Sequence, residues 1–372
     1  MTQKKGLEGI VAAETKISSI IGTQLTYSGY EIDDLTENAT FEEVVFLLWN
    51  QKLPNAQELK TFKEKLASYF SLEEGIKSHL KSYDLKTVHP MAALRTALSM
   101  LAHFDEHADE LDDEKNMERA IRIQAKTASL VAAISRVRKG QDIIEPNNEL
   151  SFAANFLYML NGEVPSETEE EAIDKALILH ADHELNASTF TARVCVATLS
   201  DMYSGVVAAA GALKGPLHGG ANEAVMGMLD EIGSLDKVDD YIKAKLQNKE
   251  KIMGMGHRVY KEGDPRAKYL KEMSKKLTEQ TGEPELYEMS ARIAEIVEEE
   301  KGLLPNVDFY SASVYHALGF DHDLFTPIFT LSRVSGWLAH ILEQYADNRL
   351  IRPRAEYVGP EVRSFTAINE RD

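Results

Sequence analysis

Cysteine is almost missing from this 372-residue chain, since Cys195 is the only one. An intrachain disulfide and a thiolate metal cluster are therefore excluded. Cys195 sits in the apolar run Ala192-Arg-Val-Cys-Val196, where a packed thiol is expected. Positive charge is scarce too. Lys and Arg number 41 against 60 Asp and Glu, a formal net charge of −19. A long nucleic-acid interface needs a basic face to neutralise phosphates, so DNA or RNA binding is not expected. Any anionic ligand must be held by local arginines working against the overall field. Long hydrophobic runs are also wanting. The most apolar stretch, residues 194–213, is interrupted by Asp201 and two serines and reads as a buried helix pair rather than a membrane span. Residues 1–6 are not followed by an apolar segment of signal-peptide type, so the expected location is the cytoplasm.

What the chain does have is core-forming residues, 44% of the total, enough for one large domain or two. The helical period dominates. Ile123, Leu130, Val131, Ile134 and Val137 form one stripe that stops at Arg138-Lys139-Gly140, cations and then glycine. A second long helix is expected to open at Thr326-Pro327, with Thr326 as cap, and to bury Ile328, Leu331, Val334, Trp337, Leu338 and Ile341. Alternating patterns suit only a small hairpin within residues 17–30. The fold class is mainly α. Acidic clusters at 169–171 and 298–300 read as solvated helix faces, and residues 367–372 as a loose tail.

Glycine concentrates between residues 205 and 263, and each of two glycine-rich loops there carries a histidine. In Gly215-Pro-Leu-His218-Gly-Gly220, His218 precedes an apolar-periodic helix. The positive end of a helix disfavours an imidazolium, so this histidine either steadies an oxyanion as a neutral donor or merely caps a turn. In Gly254-Met-Gly-His257-Arg-Val-Tyr260 the third glycine of a dinucleotide fingerprint is missing. A plain turn or an anion-binding loop fits, and the nearby Lys261, Asp264 and Arg266 favour the second.

Other groups are less decisive alone. His180 and His183 lie on a helical segment in His-Ala-Asp-His-Glu and are expected to share a face, but neither zinc motif, His-Glu-x-x-His or His-x-x-Glu-His, is present. No metal site is expected. Asp308 opens a helical pattern after Pro305-Asn-Val307. The helix N-terminus lowers its pKa and apolar neighbours raise it, and the sequence leaves open which prevails. Arg333, Arg352 and Arg354 need anionic partners if buried, either a carboxylate of the chain or a substrate.

Taken together, His180-Ala-Asp-His183-Glu-Leu-Asn-Ala-Ser-Thr189, the two glycine-rich loops, Asp264-Pro-Arg266, Asn306-Val-Asp308-Phe-Tyr310 and the arginines 333–354 strongly resemble citrate synthase in order and spacing. Gly6-Leu-Glu-Gly-Ile10, Tyr27-Ser-Gly-Tyr30 and His89-Pro-Met91 extend the resemblance over nearly the whole chain. It looks like the short form, for which regulation by NADH at an added N-terminal domain is not expected. The resemblance implies a nearly all-helical homodimer, with a large domain of residues 1–214 and 326–372 and a small one of residues 215–325 inserted in it. It implies condensation of acetyl-CoA with oxaloacetate by an acyltransferase that requires no metal and no cofactor, coenzyme A entering only as part of the substrate. By position, Asp308 matches the base that deprotonates the acetyl methyl, His218 the donor to the thioester oxygen, and His257 the donor to the oxaloacetate ketone. His183, Arg266, Arg333 and Arg352 match oxaloacetate-binding residues, Arg352 reaching the neighbouring subunit's site. Lys261 matches a position near the CoA phosphates, and Gly254, Met255 and Gly256 the loop at its adenine. Two rival readings are 2-methylcitrate synthase, which uses propionyl-CoA with the same residues, and a non-catalytic helical scaffold.

Overall fold

Caps in the sequence set where many of the helices begin. In the computed structural model, which describes residues 5–7 and 9–371, Thr40 with Glu43, Asn55 with Glu58, and Ser166 with Glu169 form reciprocal capping boxes. Residues 1–4, Glu8 of the motif at 6–10, and Asp372 lie outside the described residues, and so does most of the stretch read for a signal peptide. The expected hairpin is present and gains a third strand. β1 (Ser18–Ile21), β2 (Gln24–Tyr27) and β3 (Tyr30–Glu31) form an antiparallel meander with Ser18 opposite Tyr27 and Thr26 opposite Glu31.

Sixteen α-helices follow among the described residues. The first ten are α1 (Ile32–Asn38), α2 (Phe41–Asn50), α3 (Ala56–Tyr69), α4 (Glu74–Lys81), α5 (Pro90–Met100), α6 (Asp113–Arg138), α7 (Phe152–Asn161), α8 (Glu167–His180), α9 (Ala187–Val196) and α10 (Met202–Leu213). Then come α11 (Ala221–Ile232), α12 (Val238–Gln247), α13 (Ala267–Thr281), α14 (Pro284–Lys301) and α15 (Val307–Ala317), which pack mainly on one another, and finally α16 (Phe325–Ala346). α6 ends at the expected cations, with Gly140 left-handed just beyond. Residues 194–213 hold only the last three residues of α9, the turn after it and all of α10, so the expected helix pair is one whole helix and the end of another.

α16 is the axis of the larger group and packs against α2, α6, α8, α9 and α10. Every residue from Phe325 to Ile341 is buried, Trp337 completely. The expected stripe is there, but so are buried Thr330, Ser332, Arg333 and His340, so this helix is enclosed on all sides. Each fully buried large apolar side chain contributes about 1.5–3 kcal/mol. The start of α16 differs from expectation. The 3-10 turn His322–Leu324 runs straight into it, Leu324 takes the cap position, and the Thr326 hydroxyl donates instead to the Gly219 carbonyl at 3.2 Å. Pro327 still falls in the first turn, where a missing N–H leaves no bond unmade. The tail also departs earlier than expected. Exposed irregular backbone begins just after α16, not at residue 367, and includes a short 3-10 turn at Ile368–Glu370. Cys195 is half-buried rather than fully packed, and burial raises its thiol pKa. No helix among the described residues is long and apolar enough to cross a membrane.

Candidate active site

A single cleft of about 1540 Å³ lies where α16 and the turn after α8 face the loops preceding α11 and α15. His183, His218, Gly254, Met255, Gly256, His257, Arg266, Asp308 and Arg333 all line it. Two of the candidates do not. Lys261 is exposed and donates only to the Arg258 carbonyl at 3.1 Å, and Arg352 is exposed on the C-terminal segment.

The first wall is the turn between α8 and α9. α8 ends at His180, so His180 and His183 do not share a helix face as the spacing implied. His180 is a core histidine: its Nδ1–H donates to the Ala176 carbonyl at 2.7 Å, and burial lowers its pKa to about 3. His183 lies beyond the helix end, in a turn held from several sides. Tyr27 of β2 donates to the Ile178 and Asp182 carbonyls at 3.1 and 3.0 Å. Ser18 donates to Asp182 at 2.5 Å, and His340 lies 3.3 Å from the same carboxylate oxygen. Gly336 of α16 passes so close that a Cβ there would collide with the Ala181 carbonyl and the Asp182 carboxylate.

His218 stands just before α11. Its Nε2 is 2.8 Å from the Ser188 hydroxyl and 3.3 Å from the Ser188 backbone N–H. A backbone N–H can only donate, so Nε2 is the acceptor and the proton resides on Nδ1. The Ser188 hydroxyl is itself placed by Trp337 Nε1, which donates to it at 3.0 Å, so its own proton is free to point at His218 Nε2. Burial first, then the Arg333 charge, lowers the His218 pKa to about 4, so the ring is a neutral donor.

His257 has the opposite tautomer for the same reason. Its Nδ1 accepts from the Val259 and Tyr260 backbone N–H groups at 3.0 and 3.2 Å, which leaves the proton on Nε2. Its pKa is also lowered to about 4, by burial and then Arg266. The loop is zipped to the start of α15: Gly256 N donates to Leu304 O at 2.7 Å, Asn306 N to Gly254 O at 2.9 Å, and Asn306 Nδ2 to Gly256 O at 2.8 Å. Gly254 has φ +75°, and a Cβ there would lie 2.8 Å from both Phe309 and Val225. Only glycine lets this loop approach so closely.

Asp308 resolves the conflict left open by its position. It occupies the first turn of α15, where the helix end stabilises a carboxylate, yet its Oδ1 is buried without a hydrogen-bond partner. Burial outweighs the pull of Arg266 and Arg333 and raises its pKa to about 6. Asp264 differs. It receives both Nε and Nη2 of Arg266, at 2.9 and 2.8 Å, and the Val307 N–H at 3.1 Å. Although burial pushes up, Arg266 and these hydrogen bonds hold its carboxyl below the usual range. Arg333 is buried with no ion pair among the described residues. Its Nε donates to the His180 carbonyl at 2.7 Å, its guanidinium lies 4.7 Å from the Phe329 ring centre, and burial lowers its pKa to about 10. A buried guanidinium without a carboxylate is a preformed anion site.

Some functional groups were not picked out from sequence. Ser188, Asn306 and Tyr260 act through contacts that only folding creates, although each lies within a quoted motif. Lys249, Lys251, Arg258 and Lys301 line the cleft as local cations in an acidic chain, and local surplus of positive charge was the one available signal. Among the described residues no group of three or more His, Cys, Asp or Glu could hold a metal ion.

Two neutral imidazoles with fixed protons, a carboxylate made more basic by burial and an unpaired guanidinium suit one kind of chemistry: removing a proton from carbon and steadying the resulting oxyanion, on a substrate that is itself anionic. Comparison with known proteins agrees. Residues 6–354 match the model of the citrate synthase C-terminal domain. The chain is 65% identical to citrate synthase 2 of Bacillus subtilis over 371 residues, covering 100% of both, and 42% identical to a 2-methylcitrate synthase of Shewanella oneidensis, covering 98% of this chain and 97% of that one. Among solved structures, the ternary complex of Thermoplasma acidophilum citrate synthase with carboxymethyl coenzyme A and oxaloacetate superposes with a TM-score of 0.93 at 34% identity, covering 99% of each chain. The chain belongs to the citrate synthase family, a family of helical acyltransferases.

Proposed function

We propose that this protein condenses acetyl-CoA with oxaloacetate and hydrolyses the citryl-CoA formed, releasing citrate and CoA. The observation that carries the reading is the meeting of His218, His257 and Asp308 in one cleft, each in the protonation state the reaction needs. Asp308 takes a proton from the acetyl methyl. A thioester methyl is a very weak carbon acid, so the His218 Nδ1–H donates to the thioester oxygen as the enolate forms. The methyl carbon then bonds to the ketone carbon of oxaloacetate, whose oxygen receives the proton offered by His257 Nε2. Water finally cleaves the thioester. The chemistry is run by side chains, without a metal or added cofactor.

Oxaloacetate is held by Arg333, whose guanidinium makes no salt bridge among the described residues, with His183 and Arg266 beside it. Arg266 is already paired with Asp264, so it contributes a charge that is partly spent. Arg352 is assigned to the neighbouring subunit's site in a homodimer, which accords with its exposed place on the C-terminal segment. Gly254, Met255 and Gly256 border the coenzyme A moiety, and Lys261 is the weakest assignment because it lies off the cleft lining. Residues 215–325 act as a small domain closing on residues 1–214 and 326–372, which excludes water before condensation. The protein works in the cytoplasm.

The test is oxaloacetate-dependent release of CoA thiol with acetyl-CoA or propionyl-CoA. Faster release with acetyl-CoA is expected. The reason to test both is the 42% identity to a 2-methylcitrate synthase, because one methylene in an acyl pocket is worth only about 1–3 kcal/mol of discrimination. Faster release with propionyl-CoA transfers the assignment to methylcitrate synthesis. No release with either from folded protein refutes the enzymatic reading.

A further inference from the structure

Tyr260 touches both histidines assigned to the keto acid, yet its side chain has been given no role in the reaction. Its phenol oxygen is 3.1 Å from His183 Nε2. Its ring lies 4.7 Å from the His257 ring, tilted by 35°, and 5.5 Å from the His183 ring, which it meets nearly edge-on. The Arg266 guanidinium lies 6.0 Å from the Tyr260 ring centre. Its backbone N–H is one of the two that fix the His257 proton on Nε2. The residue is 2% exposed, so these contacts are made away from bulk water.

Hydrogen-bond accounting gives the direction of the His183 contact. Among the described residues His183 is the only hydrogen-bond partner of the Tyr260 hydroxyl. If His183 donated to it, the buried phenol proton would have no acceptor, which is costly. The phenol therefore donates, His183 Nε2 accepts, and the His183 proton resides on Nδ1. Burial holds Tyr260 above the usual phenol pKa and His183 well below the usual imidazole pKa, so neither group leaves this state near neutral pH.

We infer that Tyr260 is a positioning residue that sets the tautomers of both keto-acid histidines, His183 through its hydroxyl and His257 through its backbone N–H, and clamps the His257 ring beneath its own. The inference rests on the reading that His183 and His257 hold oxaloacetate. Its side-chain part is separable from the rest, because phenylalanine keeps the ring and the backbone N–H and removes only the hydroxyl.

The experiment compares Tyr260→Phe, Tyr260→Leu and His257→Ala with the wild-type enzyme, using steady-state kinetics and ¹⁵N spectra of histidine-labelled protein, the His183 signals being assigned with His183→Asn. In Tyr260→Phe, the KM for oxaloacetate should rise about 3- to 10-fold with kcat changed less than about 2-fold, as expected for one lost hydrogen bond. The His183 Nε2 signal should shift from that of a nitrogen accepting a hydrogen bond toward a tautomer mixture. In Tyr260→Leu, which also frees the His257 ring, kcat should fall as well. Should Tyr260→Leu fail to fold, Tyr260→Phe still decides. A Tyr260→Phe enzyme with unchanged KM and unchanged His183 nitrogen shifts overturns the inference while leaving the assignment of the site intact. If His257→Ala keeps full activity, the reading of the site itself fails.

Discussion

Two aspartates, Asp308 on the cleft lining and Asp264 buried off it, are held in opposite ways. Asp264 receives a guanidinium fork and a backbone N–H, and its carboxyl is kept acidic. Asp308, which follows the residue supplying that N–H, has a buried oxygen with no partner, and its pKa rises to about 6. Burial raises both. The difference lies entirely in the company each keeps, and it separates a carboxylate that holds the structure together from one left free to take a proton.

Exchanging each for its amide should separate the two roles most sharply. Asp308→Asn should lower kcat by about 100- to 10,000-fold, the range for loss of a general base, in the CoA-release assay. It should also stabilise the fold at neutral pH by at most about 3 kcal/mol, because a folded pKa of about 6 against an ordinary 3.8 means that ionised Asp308 is strained. Asp264→Asn should do the reverse in urea unfolding, costing about 3–5 kcal/mol by leaving Arg266 buried and unpaired. Comparable stability losses in both variants would erase the distinction.

Acid titration tests the same contrast with smaller effects. Asp308 must be ionised to act as a base, so kcat/KM should fall about tenfold per pH unit below about pH 6, while His218 and His257, near 4, stay neutral there. In stability the signs oppose each other. The raised Asp308 pKa makes the folded state bind its proton more tightly, so this contribution favours folding in acid and is lost as pH rises from 3.8 to about 6. The lowered Asp264 pKa gives stability that is present above the ordinary carboxylate range and lost as pH falls through its depressed value. The smallest effect concerns the cations. Lys251→Ala, on the cleft lining, should raise the KM for acetyl-CoA about 2- to 5-fold, whereas Lys261→Ala should leave it within about 1.5-fold, as expected for exposed charges. Equal effects would restore Lys261 to the CoA site.

The helical class was legible because the 3.6-residue period is local, and His218 before an apolar helix announced a histidine at a helix start. Arrangements that depend on partners far along the chain were not legible. Thr326 looked like a cap, but its hydroxyl bonds Gly219, which no local pattern foretells. His180 and His183 had helical spacing, yet the helix ends between them, and α16 then separates their fates, accepting one into the core and leaving the other at the cleft. The two tautomers follow from backbone N–H groups of Ser188, Val259 and Tyr260, whose direction only the folded loops determine. Asp308 showed both opposing influences in its sequence neighbourhood, and only the absence of a partner for its Oδ1 settled the outcome.

α16 has one more consequence. Its Arg333 and Gly336 face the turn that carries His183, while its Thr326 and Trp337 hold the loop of His218 and the serine behind that imidazole. On the proposed reading, the two substrates are thus gauged from one rigid rod. A substitution that slides or rotates that rod changes both grips at once, so mutational drift can tune the preference for one substrate independently only through residues outside it. Attempts to broaden acyl-chain choice should therefore begin at residues outside α16.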